Sequence, residues 1–197
     1  MTLERLWAGW RTAYVSGSGT GGGGDDEVEG TSGDAGSGPG SSGPGDDSAE
    51  CVFCRIAASG GPSPDNGVLW VGRTTLVVLN AYPYASGHLM AIPLRHVRSL
   101  DGLDDDESAE LWAATRLGVA AIEAAYQPGG INLGANLGEA AGAGIPRHLH
   151  LHAVPRWTGD TNFMTAIADT RVLPETLNST WERLTAAWPV GCESGPA

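Results

Sequence analysis

The chain has 197 residues, 41% of them hydrophobic, and carries 23 acidic against 11 basic residues, a formal net charge of −12. This length suits one compact domain and is too short for two full ones. The acidic balance argues against a general nucleic-acid-binding protein, and no apolar run reaches the ~20 residues that a membrane-spanning helix needs. Because the three cysteines cannot form a paired disulfide framework, we expect a cytoplasmic protein with reduced thiols.

Much of the negative charge lies in one low-complexity segment, residues 16–50, which is rich in Gly and Ser and has eight acidic residues and no basic one. Such a segment buries too little apolar surface to offset its conformational entropy. We therefore expect a disordered linker between an N-terminal docking segment (1–15), whose Leu and Trp residues have helix-like spacing, and a globular domain (51–190). A flexible tail (191–197) follows.

The globular part alternates short strands with two helices. Residues 104–126 predict a long helix, with acidic residues at its start and Gly129 and Gly130 closing it, and a last helix runs from about Pro174 to Trp188. Because neighbouring strands are joined by short turns, the fold class is α+β, an antiparallel sheet of about five strands with helices on one side. The predicted strands cover residues 68–72, 74–80, 88–94, 131–136 and 148–157.

Three of the five histidines alternate with leucine: His148, His150 and His152. On a strand, residues i and i+2 point to the same face about 7 Å apart, so Leu149 and Leu151 face the opposite way. Imidazoles in a core strand are costly to desolvate unless they are hydrogen-bonded or used chemically. The pattern predicts an apolar face in the core and an imidazole face that opens onto a cleft or a metal.

Upstream lies a Cys51-Val-Phe-Cys54 motif. A lone CxxC is compatible with redox chemistry or with zinc, but the flanking residues lack the strand-before-helix context of a thioredoxin-like site. Zinc takes four N or S ligands in a tetrahedron, so two histidines must complete the set. His148 and His152 lie about 14 Å apart on an extended strand, so one member of the triad together with His96 would close a Cys2His2 site.

The run from His148 to Trp157, HLHLHAVPRW, resembles the defining motif of the histidine triad superfamily. The segment 80–96, NAYPYASGHLMAIPLRH, is similar to the family's Asn…Pro…Gly-His…Pro-x-x-His block, and residues 132–138 also fit. With LWAGWRTAY near the N-terminus and CVFC, the likeness covers about residues 2–15 and 51–165. The N-terminal block and the PRW ending are most like the bacterial diadenosine tetraphosphate phosphorylase branch.

The resemblance implies a catalytic role for His150 as the nucleophile that forms a covalent nucleotidyl-histidine. It also implies that His152 bonds a phosphate oxygen or shuttles a proton, that Asn80 contacts the ribose side of a nucleotide and that Asn136 contacts the phosphate side. His88 is either a hydrogen-bond partner of these groups or a substrate contact.

By likeness to the zinc-bearing members, His148 is the fourth ligand of a structural zinc, together with Cys51, Cys54 and His96. Members of the superfamily commonly pair through the sheet edge and the long helix, so the resemblance also implies a homodimer. A dinucleoside polyphosphate or another nucleotide is the expected substrate, with neither nucleic acid nor membrane as a partner.

One departure from the family bears on the reaction. The hydrolytic members have Gln four residues before the first triad histidine and the phosphoramidase-like members have Ser three before, where this chain has Gly144 and Ile145. Glycine leaves space that suits inorganic phosphate as second nucleophile, although Gly144 is equally compatible with a tight turn before Pro146. We expect phosphorolysis of a dinucleoside tetraphosphate to ADP and ATP. The alternatives are a hydrolase or phosphoramidase that releases AMP, and a non-catalytic nucleotide-binding or zinc-stabilised interaction module.

Overall fold

Two neighbouring strands of the sheet, Thr75–Leu79 and Leu89–Pro93, are apolar at almost every position because both faces of the sheet are covered. The computed structural model describes residues 51–160 and 175–189, so the predicted docking segment, the linker and the tail lie outside the described residues. The described elements are α1 (Val52–Ala57), β1 (Val68–Val71), β2 (Thr75–Leu79), β3 (Leu89–Pro93), α2 (Asp105–Tyr126), β4 (Gly130–Gly134), β5 (Leu151–Arg156) and α3 (Leu177–Ala186).

The five strands form one antiparallel sheet in the order β1-β2-β3-β5-β4. This confirms the predicted α+β class. The sequence analysis predicted that the last strand begins at His148, whereas β5 begins at Leu151. The β3–β5 register pairs Ala91 with Leu151. Continuing this register by two residues would place Pro93 opposite Leu149. Because proline has no N–H, the ladder stops before that pair.

The helices occupy both faces of the sheet. Helices α2 and α3 share one core with alternate strand residues such as Val77 and Leu89, which agrees with the predicted helical side. The short helix α1 lies on the opposite face, where Phe53 joins a second core with Val78 and Met90. The sequence did not predict α1, and this helix forms one wall of the site described below.

Helix α2 begins and ends by local chemistry. Asp104 accepts a hydrogen bond from the Glu107 N–H, and the Glu107 carboxylate accepts one from the Asp104 N–H, a complete capping box. The helix ends at Tyr126, before the predicted glycines. Pro128 disfavours helical geometry in the residue before it, and Gln127 adopts a left-handed conformation with φ 46°.

Helix α3 lies within the predicted last helix, although Pro174 itself is outside the described residues. Thr176 caps its N-terminus by accepting a hydrogen bond from the Ser179 N–H. The indole N–H of Trp181 donates to the carbonyl oxygen of Val68 at 2.7 Å, so this helix is tied to the edge strand β1. In the part of the chain that the structure describes, no helix is both long enough and apolar enough to cross a membrane.

The β1–β2 hairpin depends on one carboxylate of α2. The Glu110 carboxylate accepts hydrogen bonds from the backbone N–H groups of Arg73 and Thr74 and from the Thr74 hydroxyl. We predict that Glu110→Gln lowers the free energy of unfolding by roughly 1–2 kcal/mol, because charge-assisted bonds are weakened. Urea denaturation measures this. Glu123→Gln, on an exposed position of the same helix, is the control, and equal stabilities of the two variants would contradict the assignment.

Candidate active site and metal centre

The triad histidines and the leucines between them face opposite sides of the sheet. Leu149 and Leu151 lie in the core that α2 covers. The rings of His148 and His150 face α1 instead, where their centroids lie 5.5 and 5.1 Å from that of Phe53. The period-two alternation therefore extends beyond the N-terminal end of β5, and the imidazoles line a buried surface opposite the long helices.

The cysteine motif and two histidines converge at the end of this surface. One donor atom from each of Cys51, Cys54, His96 and His148 lies within 4.8 Å of all the others. The sulfur-to-Nδ1 distances are 3.3 Å for Cys51–His148, 3.3 Å for Cys54–His96 and 3.6 Å for Cys54–His148. Tetrahedral zinc with ordinary bond lengths would separate sulfur and nitrogen by about 3.6 Å. The donor set and its spacing fit zinc.

The orientation of His148 also suits a metal ligand. Its Nε2–H donates to the carbonyl oxygen of Pro93 at 2.9 Å, so the lone pair resides on Nδ1, the atom that faces both thiols. A backbone carbonyl behind a metal-binding imidazole is a frequent arrangement because it fixes the ring and its tautomer. Burial lowers the pKa of His148 to about 4, which keeps the imidazole in the neutral form that metals bind.

His150 lies outside the metal cluster and has a different hydrogen bond. Its Nδ1–H donates to the carbonyl oxygen of His148 at 2.8 Å, so the lone pair is on Nε2. No group within residues 51–160 and 175–189 bonds that nitrogen, and it is not one of their buried unpartnered polar atoms, so it keeps contact with solvent. Burial lowers the pKa of His150. A neutral imidazole with an available Nε2 is a competent nucleophile.

His152 is linked to His88 in the adjacent strand region. The Tyr84 backbone N–H donates to Nδ1 of His88 at 3.1 Å, which places the His88 proton on Nε2. That Nε2–H donates to Nδ1 of His152 at 3.0 Å, so His152 carries its own proton on Nε2. Burial lowers the pKa of His152 to about 4. The pair presents a neutral N–H donor beside His150, whose ring centroid lies 4.8 Å from that of His152.

The two predicted asparagines lie in loops. The Asn80 side-chain oxygen accepts the Tyr82 N–H at 2.9 Å and its amide nitrogen lies 3.4 Å from His88, so Asn80 belongs to the His88–His152 group. The Asn136 amide donates to the carbonyl oxygen of Gly142 at 3.4 Å. Among the residues that the structure describes, this is the hydrogen bond of the Asn136 side chain, which lies in the loop that leads to β5.

The structure bears on one of the two interpretations of Gly144, the tight turn. A Cβ atom added there would meet nothing within 4 Å, and φ lies outside the left-handed range that favours glycine. A tight turn therefore does not require glycine at this position. The backbone borders open space just before the triad.

Sequence reasoning missed two aromatic neighbours. Phe53 contacts His148 and His150, and the centroid of the Tyr84 ring lies 4.8 Å from that of His88. The larger of the two apolar residues inside the CxxC motif could have indicated Phe53, because a large apolar side chain between two buried or half-buried thiols is expected to be buried with them. The sequence holds no comparable signal for Tyr84.

Comparison with known proteins agrees with this geometry. The HIT domain family model matches residues 66–159. A zinc-bound histidine triad family protein from Mycobacterium smegmatis superimposes with a TM-score of 0.56 at 30% identity, over 71% of this chain and 94% of that chain. The chain belongs to the histidine triad family.

Two relatives of this histidine triad protein have names that describe a reaction. A Mycobacterium tuberculosis protein named AP-4-A phosphorylase is 46% identical over 117 residues, 59% of this chain and 60% of the relative. The chain thus spans about 60% of that relative's length. A Schizosaccharomyces pombe protein named bis(5'-nucleosyl)-tetraphosphatase [asymmetrical] is 30% identical over 47% of this chain and 50% of its own length.

The Cys/His cluster predicts that zinc content depends on Cys51. We expect the purified histidine triad protein to hold about one zinc per chain and Cys51→Ser to lose most of it, with a lower Tm, because metal binding contributes directly to folding free energy. Elemental analysis and thermal denaturation measure both. Cys192→Ser, whose thiol is outside the described residues, is the control. Zinc content that is the same in both variants would contradict the site.

Proposed function

We propose that this protein transfers a nucleotidyl group from a dinucleoside tetraphosphate to inorganic phosphate through a covalent intermediate on His150. The observation that carries the proposal is the tautomer of His150. Its Nδ1–H is held by the His148 carbonyl oxygen, while Nε2 is neutral and unbonded within the described residues. This is the state in which an imidazole attacks phosphorus.

The proposed reaction has two displacements. Nε2 of His150 attacks the α-phosphorus, a P–N bond forms, and the P–O bond to the leaving nucleoside triphosphate breaks. The positive charge that develops on the ring is stabilised because the Nδ1–H remains bonded to the His148 carbonyl. A phosphate oxygen then attacks the same phosphorus, the P–N bond breaks, and a nucleoside diphosphate leaves. For a diadenosine substrate the products are ATP and ADP. Two easier steps replace one difficult displacement.

The surrounding groups would orient the substrate. His152 would donate its Nε2–H to a phosphate oxygen or to the departing oxygen, and His88 would keep that proton on Nε2 through its bond at 3.0 Å. We propose Asn80 for the ribose side and Asn136 for the phosphate side. His88 then acts through His152 as a positioning residue.

The preference for phosphate over water is proposed from Gly144. Glycine has no side chain that could orient a water molecule, and the open space at this position would leave room for a phosphate ion. The M. tuberculosis relative named AP-4-A phosphorylase supports this choice. The S. pombe relative is named as a tetraphosphatase, so hydrolysis is the alternative against which phosphorolysis is tested.

We propose that the zinc is structural. When bound, it would supply a cross-link between α1, the segment after β3 and the residues that precede β5. Cys51, Cys54, His96 and His148 would hold it, and none of their side chains is assigned a step in the reaction. A zinc-bound relative supports the metal. A reducing compartment such as the cytoplasm is proposed because both thiols must stay reduced.

A homodimer is also proposed. The strand β4 forms an edge of the sheet, and most of its residues are exposed. Large apolar side chains are exposed both on β4, at Leu133, and on helix α2, at Trp112. An unpaired strand edge with apolar neighbours is a surface that a second chain can cover.

Product analysis tests the acceptor. With diadenosine tetraphosphate and isotope-labelled inorganic phosphate, we expect label in ADP and none in ATP, because the phosphate ion becomes the terminal phosphate of ADP. Turnover should fall strongly when phosphate is omitted. AMP formed at the same rate without phosphate would exclude phosphorolysis and assign the protein to the hydrolases.

Intact-mass analysis tests the intermediate. Without phosphate, the parent protein should gain the mass of one adenylyl group, whereas His150→Ala should gain none and still bind nucleotide. His152→Asn keeps the nucleophile and should form the same adduct more slowly. An adduct on His150→Ala would contradict the assigned nucleophile. If the parent protein has no turnover and forms no adduct but binds nucleotide as tightly as His150→Ala does, the result would favour a non-catalytic nucleotide-binding module.

A further inference from the structure

The residue before the metal ligand His96 is fixed by a two-pronged ion pair. The Arg95 guanidinium donates from Nε to one Glu107 oxygen at 2.8 Å and from Nη2 to the other at 2.6 Å. The same Nη2 donates to the carbonyl oxygen of Gly102 at 2.7 Å. Such a fork sets both the distance and the orientation of the arginine.

Glu107 is itself fixed within α2. Its side chain is buried, and one of its oxygens also accepts the Asp104 N–H at 3.0 Å as part of the capping box. The Arg95 guanidinium holds the pKa of Glu107 below its usual range, so the carboxylate stays charged. The first turn of the long helix is therefore a rigid anchor for Arg95.

The residues that follow Arg95 connect this anchor to the site. His96 reaches Cys54 with an Nδ1-to-sulfur distance of 3.3 Å. The carbonyl oxygen of buried Val97 accepts the N–H of Leu149 at 2.6 Å, and Leu149 lies between His148 and His150. The short segment 95–97 thus joins α2, the metal cluster and the triad backbone.

The ion pair supplies position as well as stability. The Arg95 side chain is 54% exposed but its partner Glu107 is buried, so removing either residue also costs stability, and the test below needs a control that separates the two effects. The bidentate geometry of the pair limits the backbone from which the His96 imidazole extends. A loop histidine without this restraint would lose entropy on binding metal, and metal affinity would fall accordingly.

We propose that Glu107 and Arg95 are positioning residues of the metal centre, which hold His96 where a zinc ion requires its Nδ1 atom. The inference rests on the zinc assignment of the proposed function. Neither residue is one of the four ligands, and both act through the backbone at His96.

Competition for zinc with a chromogenic chelator tests the inference without reference to activity. Glu107→Gln and Arg95→Ala should each weaken zinc binding by about tenfold, the lower end of the effect seen when a group that orients a metal ligand is lost. The double variant should be little weaker than either single one because both remove the same interaction. Arg95→Ala leaves the capping box intact, and Arg95→Lys, which keeps charge but loses the fork, should restore only part of the affinity.

Glu110→Gln is the matched control, since it alters a carboxylate of the same helix that bonds the β1–β2 hairpin instead. It should lower stability and keep zinc affinity within about twofold of the parent. Equal losses in Glu110→Gln and Glu107→Gln would overturn the inference in favour of general destabilisation. Unchanged zinc affinity in Arg95→Ala would overturn this inference and leave the metal centre standing. A parent protein that takes up no zinc would overturn the metal centre and the inference together.

Discussion

The site depends on one hydrogen bond, from Nδ1–H of His150 to the carbonyl oxygen of His148. It decides which ring nitrogen holds the proton and so which one is available to react. If the proton were on Nε2, the same ring in the same place would have no lone pair facing solvent. The bond is local, within one HLH tripeptide, and it requires only that the carbonyl of His148 be held still.

A neighbouring metal centre would meet that requirement. His148 supplies both the carbonyl that orients His150 and the Nδ1 atom that faces the two thiols. Phe53, from the same motif as those thiols, packs against both imidazoles. The proposed ligand and the proposed nucleophile therefore share a strand face, a backbone segment and an aromatic neighbour, while different ring nitrogens would serve the two roles. Under the proposed function, a structural ion would in this way organise a reaction that it does not contact.

Much of this arrangement follows from residue spacing. The period-two alternation predicts which side chains share a face, and the need for four zinc ligands selects His96 and one triad member. The spacing predicts neither the first residue of β5 nor the end of α2, because Pro93 and Pro128 remove or reposition single backbone groups. It also predicts neither of two further contacts. The contact between Tyr84 and His88 depends on the irregular conformation of the loop that holds both residues, and the reach of Glu107 to Arg95 depends on how the tertiary fold places α2 beside the segment after β3.

Pro93 has one further effect. Because it cannot donate to the ladder, pairing between β3 and β5 ends at Leu151, and its carbonyl oxygen is left for the His148 side chain. The segment from His148 to His150 is thus secured by the two imidazole bonds and by the backbone bond from the Leu149 N–H to the Val97 carbonyl oxygen, not by pairing with β3. Local opening of the segment from His148 to His150 does not require global unfolding. The sheet can therefore stay paired while the segment from His148 to His150 opens. A circular dichroism spectrum that shows intact secondary structure does not by itself show that the site is assembled.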